Sequence, residues 1–315
     1  MNSSDLQKLA ERARSVREAG IALLFASGLL ALFLFVPLSP EKPVPAPVAA
    51  ATSTAPDAFA RVSIEANAAV VYDLVTGEIL YAKNATAQLP LASLTKLLTV
   101  YAALSQLSPS TPIDITADAT NLDGPHVFRE GQTLALDDLA RLTLTASLND
   151  GAAAIAEATA SRQNISQSAM LAGAAAALNL SATYAVNGSG LDVNTAVSGG
   201  YGSARDLAIL AGALVEQSPA IAAATTLSSA QAVSKGGTVF SVKNTDPMVA
   251  TIPRLLLSKT GYTDLAGGNL ALVFDSGIRH PIAVVVLGSS LKARFTDGTA
   301  LVAAALAHFA GVASL

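Results

Sequence analysis

The pattern of apolar and polar residues changes several times along the chain. Two short runs rich in valine and tyrosine, 69–74 and 78–81, flank Val75-Thr76-Gly77, and this arrangement predicts a β-hairpin. Apolar positions that recur every three to four residues predict helices at about 93–106, 136–146, 150–160, 166–178, 203–216 and 294–310. Strand-like segments return late in the chain, at 238–242, 255–260, 269–274 and 281–287.

This order of elements predicts an α/β (α+β) fold with one sheet built from N-terminal and C-terminal segments. The helical region is expected as an insertion between the two parts of the sheet. Because the connections between the late strands are short, we expect those strands to be antiparallel.

The N-terminal part of the chain follows another pattern. Residues 21–38 carry no charge, and as a helix they would span about 27 Å, enough to cross a bilayer core. The basic residues within 1–20 predict that this cytoplasmic segment stays inside and that the rest is exported. Residues 39–58, rich in proline and alanine, predict an extended linker before a globular domain at 59–315.

The uncharged run at 21–38 is interpreted as an uncleaved transmembrane anchor rather than a signal peptide. It exceeds the ~7–15 apolar residues usual in signal peptides, and no small-residue cleavage site follows closely. We therefore expect a single-pass protein of the cell membrane with its domain outside the cytoplasm. If the N-terminal segment is cleaved, the domain is secreted instead.

Composition narrows the possible chemistry. The net charge of −4 argues against a nucleic-acid partner bound through its phosphates. The chain has no cysteine, which excludes disulfides, thiolate metal sites and thiol nucleophiles. It has only three histidines, so we expect neither a histidine-rich metal site nor another cofactor. An activated hydroxyl remains as a nucleophile, and its base need not be histidine.

Three Ser-x-x-Lys tetrapeptides are candidates for such a pair. Ser39–Lys42 contains Pro40, and Ser289–Lys292 follows a late strand. Ser93–Lys96 opens a predicted helix, so both side chains share one face and the serine lies in the first turn. A partly desolvated lysine loses proton affinity there and can accept the serine proton. Taken by itself, the tetrapeptide is better explained by an N-cap serine beside a solvated lysine.

Two tripeptides change this interpretation. Ser147-Leu148-Asn149 is the only Ser-x-Asn in the chain and lies between two predicted helices. Lys259-Thr260-Gly261 is the only Lys-Thr-Gly and ends a strand-like run. Together with Ser93–Lys96, and in this order, they form the motif set of penicillin-binding proteins and class A β-lactamases.

The domain resembles the low-molecular-mass penicillin-binding proteins, which are serine D-alanyl-D-alanine carboxypeptidases and endopeptidases. Residues 91–99 resemble the family's nucleophile helix, and 131–150 resemble the stretch that ends in its Ser-Gly-Asn-Asp. The resemblance spans about 65–310 and implies the β-lactamase/D,D-peptidase-like fold. Further matching segments are the Gly-Leu loop at 187–192, the helix start at 203–208 and the Lys-Thr-Gly region at 259–267.

The resemblance implies catalytic roles for four residues. Ser93 would attack the carbonyl between two terminal D-alanines while Lys96 takes its proton. Ser147 and Asn149 would orient Lys96 and the peptide, and would relay a proton to the leaving amine. Water would then hydrolyse the acyl-enzyme.

Substrate-binding roles are implied for the strand that carries Lys-Thr-Gly. Lys259 would raise the local positive potential, and the hydroxyl of Thr260 would bind the substrate carboxylate. Gly261 belongs to the same binding strand, and the N–H groups of Ser93 and Tyr262 would form the oxyanion hole. Two arginines are further candidates for the carboxylate, namely Arg254 and Arg279.

The implied partners are peptidoglycan stem peptides, β-lactam antibiotics as covalent inhibitors, and the cytoplasmic membrane through the N-terminal helix. Carboxypeptidase and endopeptidase activity both stay open. A class A-like β-lactamase is an alternative, but it needs a glutamate for deacylation, and after Glu157 only Glu216 remains. A non-catalytic penicillin-binding or cell-wall-binding module is disfavoured because all the reactive groups are present.

Overall fold

The structure is a computed structural model that describes residues 3–34 and 57–311. The chain divides into two compact units, one up to Ser53 and one from Thr54. The first contains helix α1 (Ser3–Leu34), whose side chains are described at 11–12 and 14–29. Among the side chains described, no helix has both the length and the apolar character needed to span a membrane. The predicted anchor is therefore not confirmed, and its last four residues and most of the linker lie outside the described residues.

The second unit combines helices and strands. A 3-10 turn (Ala92–Leu94) precedes the first of its α-helices, which are α2 (Thr95–Gln106), α3 (Ala117–Thr120), α4 (Leu136–Ala146), α5 (Asn149–Gln163), α6 (Gln167–Ala177), α7 (Ala204–Gln217), α8 (Pro219–Ala224) and α9 (Ala293–Phe309). Its strands are β1 (Ala68–Asp73), β2 (Ile79–Lys83), β3 (Leu89–Pro90), β4 (Pro112–Asp114), β5 (Thr133–Ala135), β6 (Tyr184–Ala185), β7 (Gly200–Gly202), β8 (Ser229–Val233), β9 (Val239–Lys243), β10 (Leu255–Thr263), β11 (Gly267–Asp275) and β12 (Pro281–Ser289).

The main sheet joins the two ends of this unit. Its strand order is β10-β11-β12-β1-β2, and every neighbouring pair is antiparallel. The N-terminal hairpin enters the sheet through β1, where Val70 lies opposite Val285 of β12. The prediction of an antiparallel sheet built from both termini is confirmed.

Helices cover both faces of this sheet. In β1, Val70 belongs to the core shared with the helical region, whereas Val71 belongs to a second core beneath α9. Successive side chains point to opposite faces of a strand, so a strand buried on both sides reads as an unbroken apolar run. This is why the sequence 68–71, in an interior strand of the sheet, is entirely apolar.

One predicted strand takes a different position. The strand-like segment 238–242 forms β9, which pairs with β8 in a separate two-stranded sheet instead of joining the main one. Ala230, Ala232, Phe240 and Val242 are buried, while the residues between them are exposed. This hairpin therefore has one apolar face, which packs on α4. Sequence analysis missed β8 because two of its inward positions are alanines, which favour strands weakly.

Candidate active site

The candidate nucleophile lies in a tight turn ahead of α2. Ala92, just before Ser93, is buried and has a φ of +48°, a conformation that residues other than glycine seldom adopt. A Cβ on Gly190 would collide with the carbonyl oxygen of Ala92. The turn is thus held in backbone contact with the loop 187–191, which fixes the direction in which Ser93 points.

Lys96 is completely buried directly behind the serine. Its Nζ lies 2.7 Å from the Oγ of Ser93, 2.8 Å from the Oδ1 of Asn149 and 2.8 Å from the carbonyl oxygen of Ser189. The amide and backbone oxygens can only accept hydrogen bonds. A neutral amine gives its two N–H bonds to those oxygens, and its lone pair then faces the hydroxyl of Ser93.

The surroundings of Lys96 also favour this neutral form. Burial lowers the pKa of Lys96 to about 7, although the charge of Asp150 opposes that shift. A lysine with a pKa near neutrality is a base when deprotonated and can return a proton in the reverse step. Sequence analysis predicted this pair from the helical spacing of Ser93 and Lys96, and the structure brings the two residues together.

Ser147 is placed differently from expectation. It ends α4 with a φ of +58°, and its Oγ accepts a hydrogen bond from the Nζ of Lys259 at 2.8 Å. Ser147 thus contacts the second lysine, and its role in orienting Lys96 stays a prediction. Asn149 alone of the tripeptide bonds to Lys96, because the N-terminus of α5 turns its side chain toward α2.

Lys259 is also buried. Its Nζ donates a second hydrogen bond to the carbonyl oxygen of Thr260 at 2.7 Å. Burial, followed by the charges of Lys96 and Arg294, lowers the pKa of Lys259 well below its ordinary value. Two buried lysines and a buried arginine therefore crowd beside the nucleophile, and their mutual repulsion favours the neutral form of the lysines.

The strand β10 passes close to the nucleophile turn and forms the edge of the main sheet. A Cβ on Gly261 would lie 2.9 Å from the carbonyl oxygen of Leu91, so only glycine allows this approach. Next to it, the hydroxyl of Thr260 lies 2.6 Å from that of Thr245, and Tyr262 is half exposed. The structure thus brings Thr260, Gly261 and Tyr262 to the rim of the site, as predicted.

The two arginines proposed for the substrate carboxylate lie elsewhere. Arg279 is exposed in the turn between β11 and β12, where its backbone N–H donates to Asp275. Arg254 donates to the carbonyl oxygens of Asp275 and Ser276 in the same turn. Lys259 pairs with Ala271, four residues and thus about 14 Å along β11 from Asp275. Neither arginine is brought to the site, because Arg254 directly precedes β10 and Arg279 lies between β11 and β12, both at the opposite end of the sheet.

Sequence analysis missed a third arginine that does lie at the site. Arg294, in the first turn of α9, is buried, and its NH1 donates to the carbonyl oxygen of Gly261 at 2.7 Å. Within the described part of the chain, its Nε has no hydrogen-bond partner. The only sequence signal was an arginine at the start of a helix that directly follows a buried strand.

The glutamates that a β-lactamase mechanism would need are not found beside Ser93. Glu157 lies on α5 and accepts a hydrogen bond from the hydroxyl of Thr116 at 2.7 Å. Glu216 lies near the end of α7. The loop 187–191 that faces Lys96 instead supplies a backbone carbonyl, that of Ser189.

Comparison with known proteins agrees with this arrangement. The profile of the family described as D-alanyl-D-alanine carboxypeptidase, peptidase family S11, matches residues 50–290. The chain belongs to this family. Its members include low-molecular-mass penicillin-binding proteins, so the predicted family and the D,D-peptidase fold class are confirmed.

Two members of the D-alanyl-D-alanine carboxypeptidase family show how far the likeness extends. The carboxypeptidase DacD of Salmonella typhimurium is 33% identical over 263 residues, which cover 79% of this chain and 64% of DacD. The D-alanyl-D-alanine endopeptidase of Pseudomonas aeruginosa is 30% identical over 265 residues, which cover 81% of this chain and 83% of that protein. This chain thus spans less than two thirds of the length of DacD.

A solved structure is similar as well. Penicillin-binding protein D2 of Listeria monocytogenes, in its ampicillin-bound form, has a TM-score of 0.66 and 27% identity. The match covers 77% of this chain and 98% of that chain. The cefotaxime-bound form of the same protein matches with a TM-score of 0.65.

Proposed function

We propose that this protein is a serine D,D-peptidase of peptidoglycan stem peptides. It hydrolyses the bond that follows a D-alanine, either in a terminal D-alanyl-D-alanine or in a cross-link between D-alanine and a diamino acid. The reaction passes through an acyl-enzyme on Ser93. The observation that carries this proposal is the position of the Lys96 Nζ, which lies within hydrogen-bond distance of the Ser93 Oγ and of two oxygens that can only accept, so that a neutral amine would turn its lone pair to Ser93.

Acylation begins when Ser93 attacks the carbonyl carbon of the scissile bond. Lys96 takes the hydroxyl proton, and the backbone N–H groups of Ser93 and Tyr262 stabilise the negative charge on the carbonyl oxygen. Each such donor is typically worth about 3–4 kcal/mol of transition-state stabilisation. The close approach of Gly261 to the nucleophile turn supports this role, since it brings the backbone of β10 beside Ser93.

The leaving amine needs a proton, and Ser147 is suited to deliver it. Because Lys259 donates to the Oγ of Ser147, the hydrogen of that hydroxyl is left to point into the cleft. Lys259 in turn supplies a proton reservoir and a positive charge. Lys96 releases to solvent the proton it took from Ser93, and Lys259 takes up a proton from solvent to replace the one it gave. Water then hydrolyses the acyl-enzyme with neutral Lys96 as the base, and the proton that Lys96 takes from the water returns to Ser93.

The positive charge of the site suits the leaving group. Both a terminal D-alanine and the diamino acid of a cross-link carry a carboxylate on the carbon next to the leaving nitrogen. Lys259 and Arg294, with the hydroxyls of Thr260 and Thr245, lie where that carboxylate would arrive. This subsite serves both the carboxypeptidase and the endopeptidase reaction.

β-Lactams are proposed as covalent inhibitors, since their strained amide would be attacked by the same serine. The two drug-bound forms of the Listeria relative support this step. The test is to incubate the full-length protein, in detergent, with a fluorescent penicillin. We expect covalent labelling of the wild type and none of Ser93→Ala.

The chain offers a matched control for that experiment. Ser289→Ala removes the serine of another Ser-x-x-Lys, whose hydroxyl bonds to Asp297 at 2.7 Å, and should label normally. Equal labelling of Ser93→Ala would overturn the proposal. Fast turnover of a chromogenic cephalosporin would instead favour a β-lactamase. Release of D-alanine from a pentapeptide, compared with cleavage of a cross-linked dimer, separates the two peptidase activities.

We also propose that the domain acts outside the cytoplasm, held at the membrane by residues 21–38. The support is the uncharged run in the sequence and the basic residues before it. Cell fractionation tests this proposal: the full chain should sediment with membranes, and a chain in which a cleavable signal peptide replaces residues 1–58 should not. Recovery of a full-length chain in the soluble fraction would contradict it.

A further inference from the structure

One carboxylate beside the nucleophile has no part in the mechanism proposed above. Asp150 is the second residue of α5 and is fully buried. Its Oδ2 accepts hydrogen bonds from the N–H groups of Val127 and Phe128, both at 2.8 Å, and its Oδ1 accepts from that of Gly151 at 2.8 Å. Burying a charge costs free energy unless the charge is paired and hydrogen-bonded.

We propose that Asp150 is a positioning residue for acylation, which presents the correct end of Asn149 to Lys96 and supplies the counter-charge for Lys96. This inference rests on the proposed role of Lys96 as the base. A carboxylate that only stabilised the start of α5 would need these hydrogen bonds and would have no effect on Lys96. The proposed role adds that effect.

The loop 123–128 fixes which end of the Asn149 side-chain amide faces Lys96. The side-chain Nδ2 of Asn149 donates to the carbonyl oxygen of Asp123 at 2.6 Å, and its backbone N–H donates to that of Pro125 at 2.7 Å. Asp150 binds the other end of this loop. With Nδ2 committed to the loop, Oδ1 must face Lys96, where an acceptor is needed. If the loop were released, the amide could turn and direct a donor at the lysine.

Asp150 also acts on Lys96 through its charge. The charge that acts on Lys96 is that of Asp150 of α5, while Lys96 itself and Arg294 of α9 act on Lys259 of β10. Asp123 and His126 of the loop are exposed, and Asp192 of the neighbouring loop is half buried. Asp150 is thus the fully buried anion whose charge acts on Lys96, whereas the buried Asp246 acts on Arg294.

The consequence is a defined effect on proton affinity. Burial lowers the pKa of Lys96 to about 7, and the charge of Asp150 limits that fall. Without this charge the lysine would lose its proton at a lower pH. The acid limb of the acylation rate, which follows deprotonation of Lys96, would then move to lower pH as well.

The experiment compares Asp150→Asn with the wild type. The rate constant for acylation by a fluorescent penicillin is measured across the range from about pH 5 to pH 9. In Asp150→Asn we expect the midpoint of the acid limb to move down by about one pH unit, and the plateau rate to fall about tenfold because Asn149 is less well held. A folded Asp150→Asn variant with an unchanged midpoint would overturn the inference.

Asp206→Asn is the matched control. Asp206 is likewise buried and accepts from the N–H of Ala182 and the hydroxyl of Thr183, both at 2.9 Å, but it lies on α7. Its loss should lower thermal stability and leave the midpoint unchanged. A shift of equal size in Asp206→Asn would show that loss of stability alone moves the profile, and would overturn the inference.

Two further variants separate charge from shape. Asp150→Glu keeps the charge, so its midpoint should stay near that of the wild type even if its plateau falls. If Asp150→Asn does not fold, Asp150→Ser removes the charge and keeps a hydrogen-bond acceptor, and the same shift is expected. Absence of labelling in the wild type would instead overturn the proposed function, which keeps the two failures distinguishable.

Discussion

The two ends of the main sheet differ in whether their charged groups have partners of opposite charge or hydrogen-bond donors. At the end near Ser93, the cations Lys96, Lys259 and Arg294 are buried, and none of them forms a salt bridge within residues 57–311. At the other end, where β11 turns into β12, Asp73 pairs with the Nε2 of His280 at 2.7 Å. Asp275, in the same turn, accepts N–H bonds from three residues of the turn.

This difference separates charges that serve chemistry from charges that serve structure. Burying a basic side chain without a carboxylate partner costs free energy. Groups whose pKa is shifted in this way are concentrated at functional sites, where the shift serves catalysis. A paired or hydrogen-bonded carboxylate at a turn holds the chain in place. Substitutions at the two ends should therefore affect different measurements.

Lys96→Met should produce the largest loss of activity. It replaces the buried amine by an apolar chain of similar length, so Ser93 keeps its place and loses its base. We expect acylation by penicillin to slow by about 10³-fold or more, within the range known for general bases. The rate of fluorescent labelling measures this effect.

The control for that change is Lys292→Met, in the Ser289–Lys292 tetrapeptide. Lys292 is exposed just before α9, so its loss should leave labelling unchanged. Rapid labelling of a folded Lys96→Met variant would mean that the buried cations at this end are structural after all.

Arg294→Ala should have the next largest effect. Its guanidinium bonds to the backbone of Gly261 and adds to the positive charge that awaits the substrate carboxylate. A charge-assisted hydrogen bond contributes about 1.5–3 kcal/mol, so we expect kcat/KM for a D-alanyl-D-alanine peptide to fall about tenfold or more.

The same enzyme offers a comparison for Arg294. For a substrate whose terminal carboxylate is amidated, the Arg294→Ala change should lower kcat/KM less, because that substrate lacks the charge that the arginine attracts. Equal losses for the acid and the amide would show that Arg294 supports the strand and does not bind the carboxylate.

Sequence patterns predicted the parts of the site that depend on local spacing. Ser93 and Lys96 share a helix face, and Lys259 ends an apolar run, and the three motifs taken together, in this order, singled them out. The contact of Ser147 with Lys259 depends on how α4 meets β10, more than a hundred residues later, and no local pattern encodes it. Arg294 was missed for the same reason, since its position follows from the order of strands in the sheet.

The fold shows the same division. The buried strands β1, β11 and β12 were predicted because both of their faces are apolar. The pairing partner of β9 was not, because Ala230 and Ala232 give β8 almost no strand signal. Arg279 was assigned to the site from its place before a strand, although that strand, β12, begins at the end of the sheet opposite to the site.

Asp73→Asn tests the structural end of the sheet. Burial raises the pKa of Asp73, but the hydrogen bonds with His280, Thr76 and Val75 together bring it below its ordinary value. A lowered folded-state pKa gives stability that is present above the unfolded value, about 3.9, and is lost as the pH falls through the folded value. We expect Asp73→Asn to cost about 1–3 kcal/mol of unfolding free energy at pH 6.

That cost should disappear in acid and should not reach the active site. Chemical denaturation at pH 6 and below pH 4, about the unfolded value of an aspartate, should show the difference between variant and wild type shrinking as the carboxylate is protonated. Penicillin labelling of the folded variant at pH 6 should match the wild type. A large loss of labelling would show that the two ends of the sheet are coupled.

Arg279→Ala should have the smallest effect of all. The side chain is exposed, and the only contact that holds this residue to Asp275 is made by its backbone N–H, which alanine keeps. An exposed substitution of this kind usually changes stability by less than about 0.5 kcal/mol. We therefore expect kcat/KM for a D-alanyl-D-alanine peptide within about twofold of the wild type, against the tenfold loss expected for Arg294→Ala. Since both arginines carry the same charge, a comparable loss in the two variants would mean that net charge alone draws the substrate in. A loss confined to Arg294 would mean that the carboxylate is met by position, at the end of the sheet where the cations are buried.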